Sequence, residues 1–287
     1  MNKLSRDKRA QILDMMAEGL SIRSICRLTG TGKNTVARLL VAAGMAFREY
    51  QHQALRDLPC KRVQADEIWS FCAMKEKTAK AKGQDRPAGV GEVWTWTAIC
   101  ADTKLCASWH VGTRDAGCAY EFMTDLAGRL RGRVQLTTDG HGAYLVAVPG
   151  AFGRAIDYAQ LIKIYGVPAD AEKRYSPPEC LGTKVEEISG NPDPEHISTA
   201  YVERRNLSMR MGMRRFTRLT NAFSTKIENH VHAISVYFMH YNFVRIHQTL
   251  RCSPAMEAKV TDRLWSLDDL VAVVEEWESK QALKEAG

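Results

Sequence analysis

The chain has 287 residues and eight cysteines, yet no two cysteines stand in a Cys-x-x-Cys spacing. Most of them lie in apolar runs such as Ala98-Ile99-Cys100-Ala101. That pattern argues against zinc ribbons and disulfide frameworks and fits a reduced, intracellular protein with buried thiols. Long hydrophobic runs are missing as well: none reaches the roughly 18 apolar residues a membrane span needs, and the first residues are charged and unlike a secretory leader. The expectation is a soluble cytoplasmic protein without a membrane partner. A phosphate-binding loop is also lacking. Gly30-Thr31-Gly32-Lys33-Asn34-Thr35 has arginine at position 27 and asparagine at 34 where G-x-x-x-x-G-K-[ST] requires glycine and Ser or Thr, and it follows a helical pattern instead of a strand.

Positive charge is plentiful and unevenly placed. The net charge is +7. Residues 1 to 56 hold ten Lys and Arg against four Asp and Glu, whereas residues 257 to 287 hold four against eight. A basic front favours a polyanionic partner. Three helical patterns occupy residues 5 to 43. Ser5 caps the first, which carries Ile12, Leu13 and Met16 at helical spacing, and Glu18-Gly19 ends it. Ser21 caps a short second helix through Ile25 and Leu28. After the turn Thr29-Gly30-Thr31-Gly32, the third runs from Lys33 to Ala43. Two short helices about a glycine-bearing turn form the helix-turn-helix pattern, with Lys33, Asn34, Thr35 and Arg38 presented to a DNA groove. A small helical bundle for protein contact is the alternative.

Beyond a connector at 45 to 60 the periodicity changes to that of strands. Lys61–Met74, Glu92–Ala101 and Leu105–Gly112 read as three antiparallel strands. Between the first two, residues 75 to 91 carry Lys75, Lys77, Lys80, Lys82 and Arg86 and read as a polar hairpin loop. A helix over Asp115–Leu130, a strand over Val134–Thr138, a helix near Ala143 and a strand over Ala155–Ile164 follow. Residues 166 to 198 contain Pro168, Pro177, Pro178, Pro192 and Pro194, which predicts little regular structure there. Two long helical patterns then cover Ser198–Leu219 and Thr225–Val244. In the second, Val231, Ile234, Phe238 and Tyr241 form a packing stripe, and His230, His232, His240 and His247 have no metal-ligand spacing.

Three acidic positions stand apart: Asp66 within Ala65-Asp66-Glu67-Ile68-Trp69, Asp139 at the end of a strand in Thr138-Asp139-Gly140, and Glu203 on a helix. Three strands, a helix, a fourth strand and a later acidic helix suggest the ribonuclease-H-like arrangement, a mixed sheet flanked by helices in which the first and fourth strands are neighbours. Asp66 and Asp139 then meet across 73 positions. Carboxylates so gathered repel one another without cations. With two Mg²⁺ ions about 3.5 to 4 Å apart they stabilise both the attacking and the leaving oxygen of a phosphoryl displacement. Oxygen ligands suit Mg²⁺, and Mn²⁺ can substitute. Glu67, next to Asp66, points to the opposite face of the strand, so only one of the two is expected to serve the site. Arg204, Arg205, Arg210, Arg214, Arg215 and Arg218 surround Glu203, with Arg210 two turns later on its face, and arginine grips phosphate oxygens bidentately.

Asp66, Asp139 and Glu203, together with Tyr201-Val-Glu-Arg-Arg-Asn206, Tyr241-Asn242-Phe-Val-Arg245-Ile-His247 and Ser253-Pro254, resemble the integrase-core, DDE-type transposases of bacterial insertion sequences. The resemblance spans residues 5 to 256 or so. It implies a ribonuclease-H-like fold, two divalent metals held by Asp66, Asp139 and Glu203, cleavage at transposon ends and attack of the freed 3′ hydroxyl on target DNA. It selects Asp66 over Glu67 and matches Arg210 to a basic residue seven positions after the glutamate, while the run of like charge itself points to Arg204, Arg205, Arg210 and Arg214 as DNA contacts. It also implies a homo-dimer or larger assembly on two DNA ends. The organisation expected is a helix-turn-helix domain at 1–46, a linker at 47–60, a catalytic domain at 61–222 with an insertion near 166–198, and a helical region at 223–287. Two departures stand out: no Cys/His set precedes the helix-turn-helix, and the 64-residue step from Asp139 to Glu203 exceeds compact integrase spacing. A transcription regulator with a ligand-sensing domain, or a nuclease of the same fold without transfer activity, are the competing readings.

Overall fold

A computed structural model describes residues 4–81, 89–166, 179–217 and 222–286. At its centre is a six-stranded mixed sheet flanked by helices. The strands are β1 (Arg62–Cys72), β2 (Gly91–Cys100), β3 (Cys106–Gly112), β4 (Val134–Thr138), β5 (Ile156–Gly166) and β6 (Glu179–Ser189), in the spatial order β3-β2-β1-β4-β5-β6. β1, β4 and β5 run parallel, and each flank is completed antiparallel. The chain lays strands to one side of β1, then crosses to the other side. The β1/β4 junction is therefore the point where strand order reverses, and at such points the carboxyl ends of parallel strands splay apart to leave a crevice.

The helices are α1 (Arg6–Ala17), α2 (Ile22–Thr29), α3 (Lys33–Ala54), α4 (Glu76–Ala81), α5 (Ala116–Ala127), α6 (Tyr144–Phe152), α7 (Ala200–Gly212), α8 (Ile227–Phe243), α9 (Pro254–Glu257) and α10 (Leu267–Ala286). Side-chain alternation on β1 sorts them into layers. Val63, Ala65 and Glu67 face α5 and α6, where Trp96 packs against Phe122 and Tyr144. Gln64 and Asp66 face α7. The Gln64 side chain accepts hydrogen bonds from the backbone N–H of Tyr201 (2.8 Å) and Val202 (3.2 Å), satisfying two first-turn donors of α7. None of the described helices is long and apolar enough to cross a membrane.

Several elements differ from their sequence pattern. The third helix continues to Ala54 and takes in most of the stretch expected as a connector, because Ala43, Ala46, Phe47 and Gln51 keep a buried stripe that packs on α8. The approach is close at Gly44, where an added Cβ would lie 2.4 Å from the Cβ of His232. The described part of the proline-rich stretch contains β6, paired antiparallel with β5. Its β-branched residues Thr183, Val185 and Ile188 lie between Pro178 and Pro192, so the prolines bracket this edge strand without interrupting it. Pro168, Pro177 and Pro178 themselves lie outside the described residues, as do Lys82, Arg86 and Arg218. Glu76–Ala81 forms α4 within the segment expected as a loop. The acidic tail forms α10, which packs on α1 and α3. There Arg9 is hydrogen-bonded to both oxygens of Glu278 at 3.1 Å, and Trp277 donates to Glu49.

Candidate active site

Where β1 and β4 part, a cleft of about 670 Å³ opens, lined among others by Asp66, Glu67, Arg114, Asp139, Lys163, Glu203, Asn206 and Arg210. The last β1–β4 pair is Ala65 with Thr138. Asp66 and Asp139 are each one residue beyond it, so their carboxylates meet at the lip of the sheet. Oxygens of Asp66, Glu67 and Asp139 all lie within 4.8 Å of one another. Glu67, expected to point away from the site, is therefore within reach of the same group. Asp66 and Glu67 do leave β1 on opposite faces: Asp66 accepts a 2.9 Å bond from Asn206 of α7, whereas Glu67 accepts from Arg114 just before α5. β4 ends at Thr138, however, and Asp139 stands in the resulting notch, reachable from both faces.

Glu203 lines the same cleft but is anchored by partners outside that group. Lys163 of β5 and Thr199 each donate to it at 2.5 Å, one to each carboxylate oxygen. Among the described residues, the mutually close carboxylates that could hold a metal ion are Asp66, Glu67 and Asp139, without Glu203. Asn206, one turn after Glu203, ties α7 to the sheet by bonding Asp66 and accepting from Thr97 at 3.2 Å. Asn206, Arg114 and Lys163 were not singled out from sequence. Asn206 carried a signal through its i+3 spacing from Glu203 on one helix face. Arg114 and Lys163 carried none: Arg114 reaches the cleft from a loop, and the strand pattern over Ala155–Ile164 does not show that Lys163 turns toward Glu203.

The electrostatics follow from crowding. Protein atoms surround Asp66 on most sides, and this desolvation, with the Asp139 carboxylate close by, pushes its carboxyl up to about 6. Burial, again with Asp139, raises Glu67 to about 7. The Glu67 side chain is 1% exposed, and its Oε1 is buried without a hydrogen-bond partner. The nearby Tyr144 hydroxyl interacts with the charge but falls short of hydrogen-bond geometry. Three crowded carboxylates with an orphaned oxygen are the donor set that hard divalent cations take, so the residues fit Mg²⁺ or Mn²⁺.

The arginine cluster divides by helical face. On α7, Val202, Arg205, Asn206 and Met209 form the buried stripe at i, i+3, i+4 and i+7. Arg205 accordingly points inward, with its guanidinium 3.9 Å from the ring centre of Tyr241, and the expectation that it lies on a DNA-facing surface is not met. Arg215 is likewise engaged, with Ser224 and the carbonyl of Asn229. Arg210 reaches the cleft, and Arg204 and Arg214 are exposed. Lys33, Asn34 and Arg38 are exposed near the start of α3 and Thr35 is half-buried. Lys33 and Arg214 line one groove of about 600 Å³ with Arg23. His230 is buried and hydrogen-bonded to Ser70 at 3.1 Å, and it is not part of the carboxylate group that could hold a metal ion.

No protein-family model matches the sequence, and comparison with curated proteins gives no match. Among solved structures, the chain is similar to the piggyBac transposase synaptic complex with hairpin DNA, at 10% identity, 98% of this chain and 73% of that one, with a TM-score of 0.43. It is also similar to the Mos1 strand transfer complex, at 13% identity, 82% and 78% coverage and a TM-score of 0.25. At these scores neither superposition supports an inference about this chain.

Proposed function

We propose that this chain is a DDE-type transposase that acts on DNA by metal-dependent phosphoryl transfer. One observation carries the reading: Asp66, Glu67 and Asp139 gather within 4.8 Å at the β1/β4 crevice, in a cleft that Glu203 and Arg210 also line. Asp66, Asp139 and the adjoining Glu67 are the residues to hold divalent ions, with Glu203 entering from α7. Bound there, such ions would supply activation of an attacking oxygen and neutralisation of the leaving one. Arg210 is placed to hold a phosphate beside the carboxylates, and Lys163 and Thr199 orient the Glu203 carboxylate. Lys33, Asn34, Thr35 and Arg38 form a DNA-reading helix start, with Arg204 and Arg214 as backbone contacts. The groove shared by Lys33 and Arg214 supports one DNA path along both. The N-terminal helices are read as a helix-turn-helix unit, the sheet as ribonuclease-H-like, and the working form as a cytoplasmic homo-dimer or larger assembly on transposon ends and target.

The deciding experiment is a cleavage and strand-transfer assay with Mg²⁺ or Mn²⁺ on DNA carrying the element's ends, using Asp66→Asn, Asp139→Asn and Glu203→Gln. Each variant should lose both reactions while retaining the gel shift. Full activity in any one removes that residue from the site. Metal-dependent nicking with no joined product would instead favour a nuclease of the same architecture.

A further inference from the structure

Arg114 occupies an unusual position. It precedes α5, and its Nε and Nη2 each lie 3.1 Å from Oε2 of Glu67, while Nη2 is 3.7 Å from Oδ2 of Asp139. A single guanidinium therefore bridges two of the three crowded carboxylates. Its Cζ sits 4.7 Å from the ring centre of Trp94, which lies on the Glu67 face of the sheet. The Arg114 side chain is 37% exposed, whereas that of Glu67 is 1% exposed. The arginine thus approaches from the open cleft and can withdraw into it, and Glu67 cannot follow.

We infer that Arg114 is a placeholder cation: it neutralises the carboxylate cradle of the metal-free protein and must swing away when a divalent ion enters. The inference rests on the metal-site reading above. Buried like charges need compensation, and Arg114 is the cation that bridges this pair among the described contacts. A guanidinium and a divalent ion sharing Glu67 and Asp139 would repel at close range in a partly desolvated site. Metal entry and the Arg114–Glu67 contact are therefore mutually exclusive, and release of the guanidinium ends its stacking on Trp94. A positioning role, in which Arg114 organises Glu67 for the metal, predicts the opposite sign for its removal.

The test uses the full-length chain and Mn²⁺ alone, read by electron paramagnetic resonance of free Mn²⁺ and by tryptophan fluorescence. Arg114→Gln should bind Mn²⁺ about tenfold more tightly than the wild type, and Arg114→Lys should fall between them. In wild type, Mn²⁺ should change the fluorescence with the same midpoint as binding, and that change should be absent in Trp94→Phe and in Arg114→Gln. Equal or weaker Mn²⁺ binding by Arg114→Gln overturns the placeholder role and leaves the metal site standing. Saturable Mn²⁺ binding to wild type without a Trp94-dependent signal overturns it too, even if Arg114→Gln fails to fold. No Mn²⁺ binding by wild type or Arg114→Gln defeats the metal site itself, and the placeholder with it.

Discussion

The side-chain amide of Asn206 donates to Asp66 Oδ2 over 2.9 Å, joining α7 to β1 across 140 positions of sequence. The same amide accepts from Thr97 of β2. Glu203 is one turn away on the same helix, so this bond sets where α7, and with it Glu203, stands relative to the sheet. Asn206→Ala would remove the side-chain donor to Asp66 and leave the Thr97 hydroxyl with only the Asp66 carbonyl as acceptor. It should lower unfolding free energy by about 1–3 kcal/mol and weaken Mn²⁺ binding roughly 10–100-fold, as losing a residue that orients a ligand does. Urea melts and Mn²⁺ titrations check the two effects separately. A variant destabilised but unchanged in Mn²⁺ affinity would show that Asn206 only packs α7.

Raised carboxyl groups give stability a definite pH sign. Asp66 and Glu67 are held near 6 and 7 in the folded chain, above their ordinary 3.8 and 4.5. The folded state then binds their protons more tightly than the unfolded state. Their contribution is fully present below about pH 4 and is lost as pH rises through about 6 to 7. For this coupled pair the loss is on the order of 3 kcal/mol. In metal-free protein, Asp66→Asn combined with Glu67→Gln should therefore be more stable than wild type at pH 8 and similar to it at pH 4, measured by urea unfolding. Mn²⁺ at pH 8 should stabilise wild type and leave the double variant unaffected. A wild-type-minus-variant difference that does not vary with pH would sink the crowding account.

Arg205 looked like a DNA contact and lies instead against Tyr241. The guanidinium stacks at 3.9 Å and the residue is 7% exposed. Arg205→Ala should cost about 2–4 kcal/mol through lost packing and lost cation–π contact. DNA affinity, compared at a temperature where both proteins are folded, should change less than twofold. Arg214→Ala should do the reverse, with near-native stability and a weaker gel shift that loses part of its salt dependence. Equal losses of DNA affinity in the two variants would return Arg205 to the surface.

What was legible in sequence follows from the range of the interactions. β4 was readable residue by residue because Val134 and Leu136 alternate with polar neighbours in a short buried strand between a glycine and an aspartate. The meeting of Asp66 and Asp139 was legible because it depends only on strand order. The place of Glu67 was not: alternation correctly sent it to the opposite face, but the length of β4, which leaves the notch both faces share, is a tertiary quantity. Arg205 was misread for a related reason. Charge alone put it with its neighbours, whereas the i, i+3, i+4, i+7 stripe beginning at Val202 runs through it. β6 was missed because its partner β5 supplies the pairing that its modest propensity does not.

Gly44 is where the N-terminal helices lock to the rest of the chain. An added Cβ there would meet His232 Cβ at 2.4 Å, its Nδ1 at 2.5 Å and its Cα at 2.6 Å. Two of these atoms are fixed to the α8 backbone, so no rotamer change relieves the clash and α3 must move away from α8. Gly44→Ala gains about 1 kcal/mol of helix propensity, against overpacking that typically costs 1–3 kcal/mol and more where backbone must shift. The net expectation is a loss of about 1–3 kcal/mol in urea unfolding. Gly182→Ala provides the comparison, because an added Cβ at that β6 position meets nothing within 4 Å, and it should be close to neutral. The consequence for function is separable from stability. The start of α3 carries Lys33 and Asn34, and the far end of the same helix is seated on α8, so displacing α3 should weaken the gel shift while leaving Mn²⁺ binding at the β1/β4 crevice unchanged. Should Gly44→Ala melt like wild type and bind DNA equally well, α3 and α8 are not in the close contact that seats the proposed DNA-reading helix start.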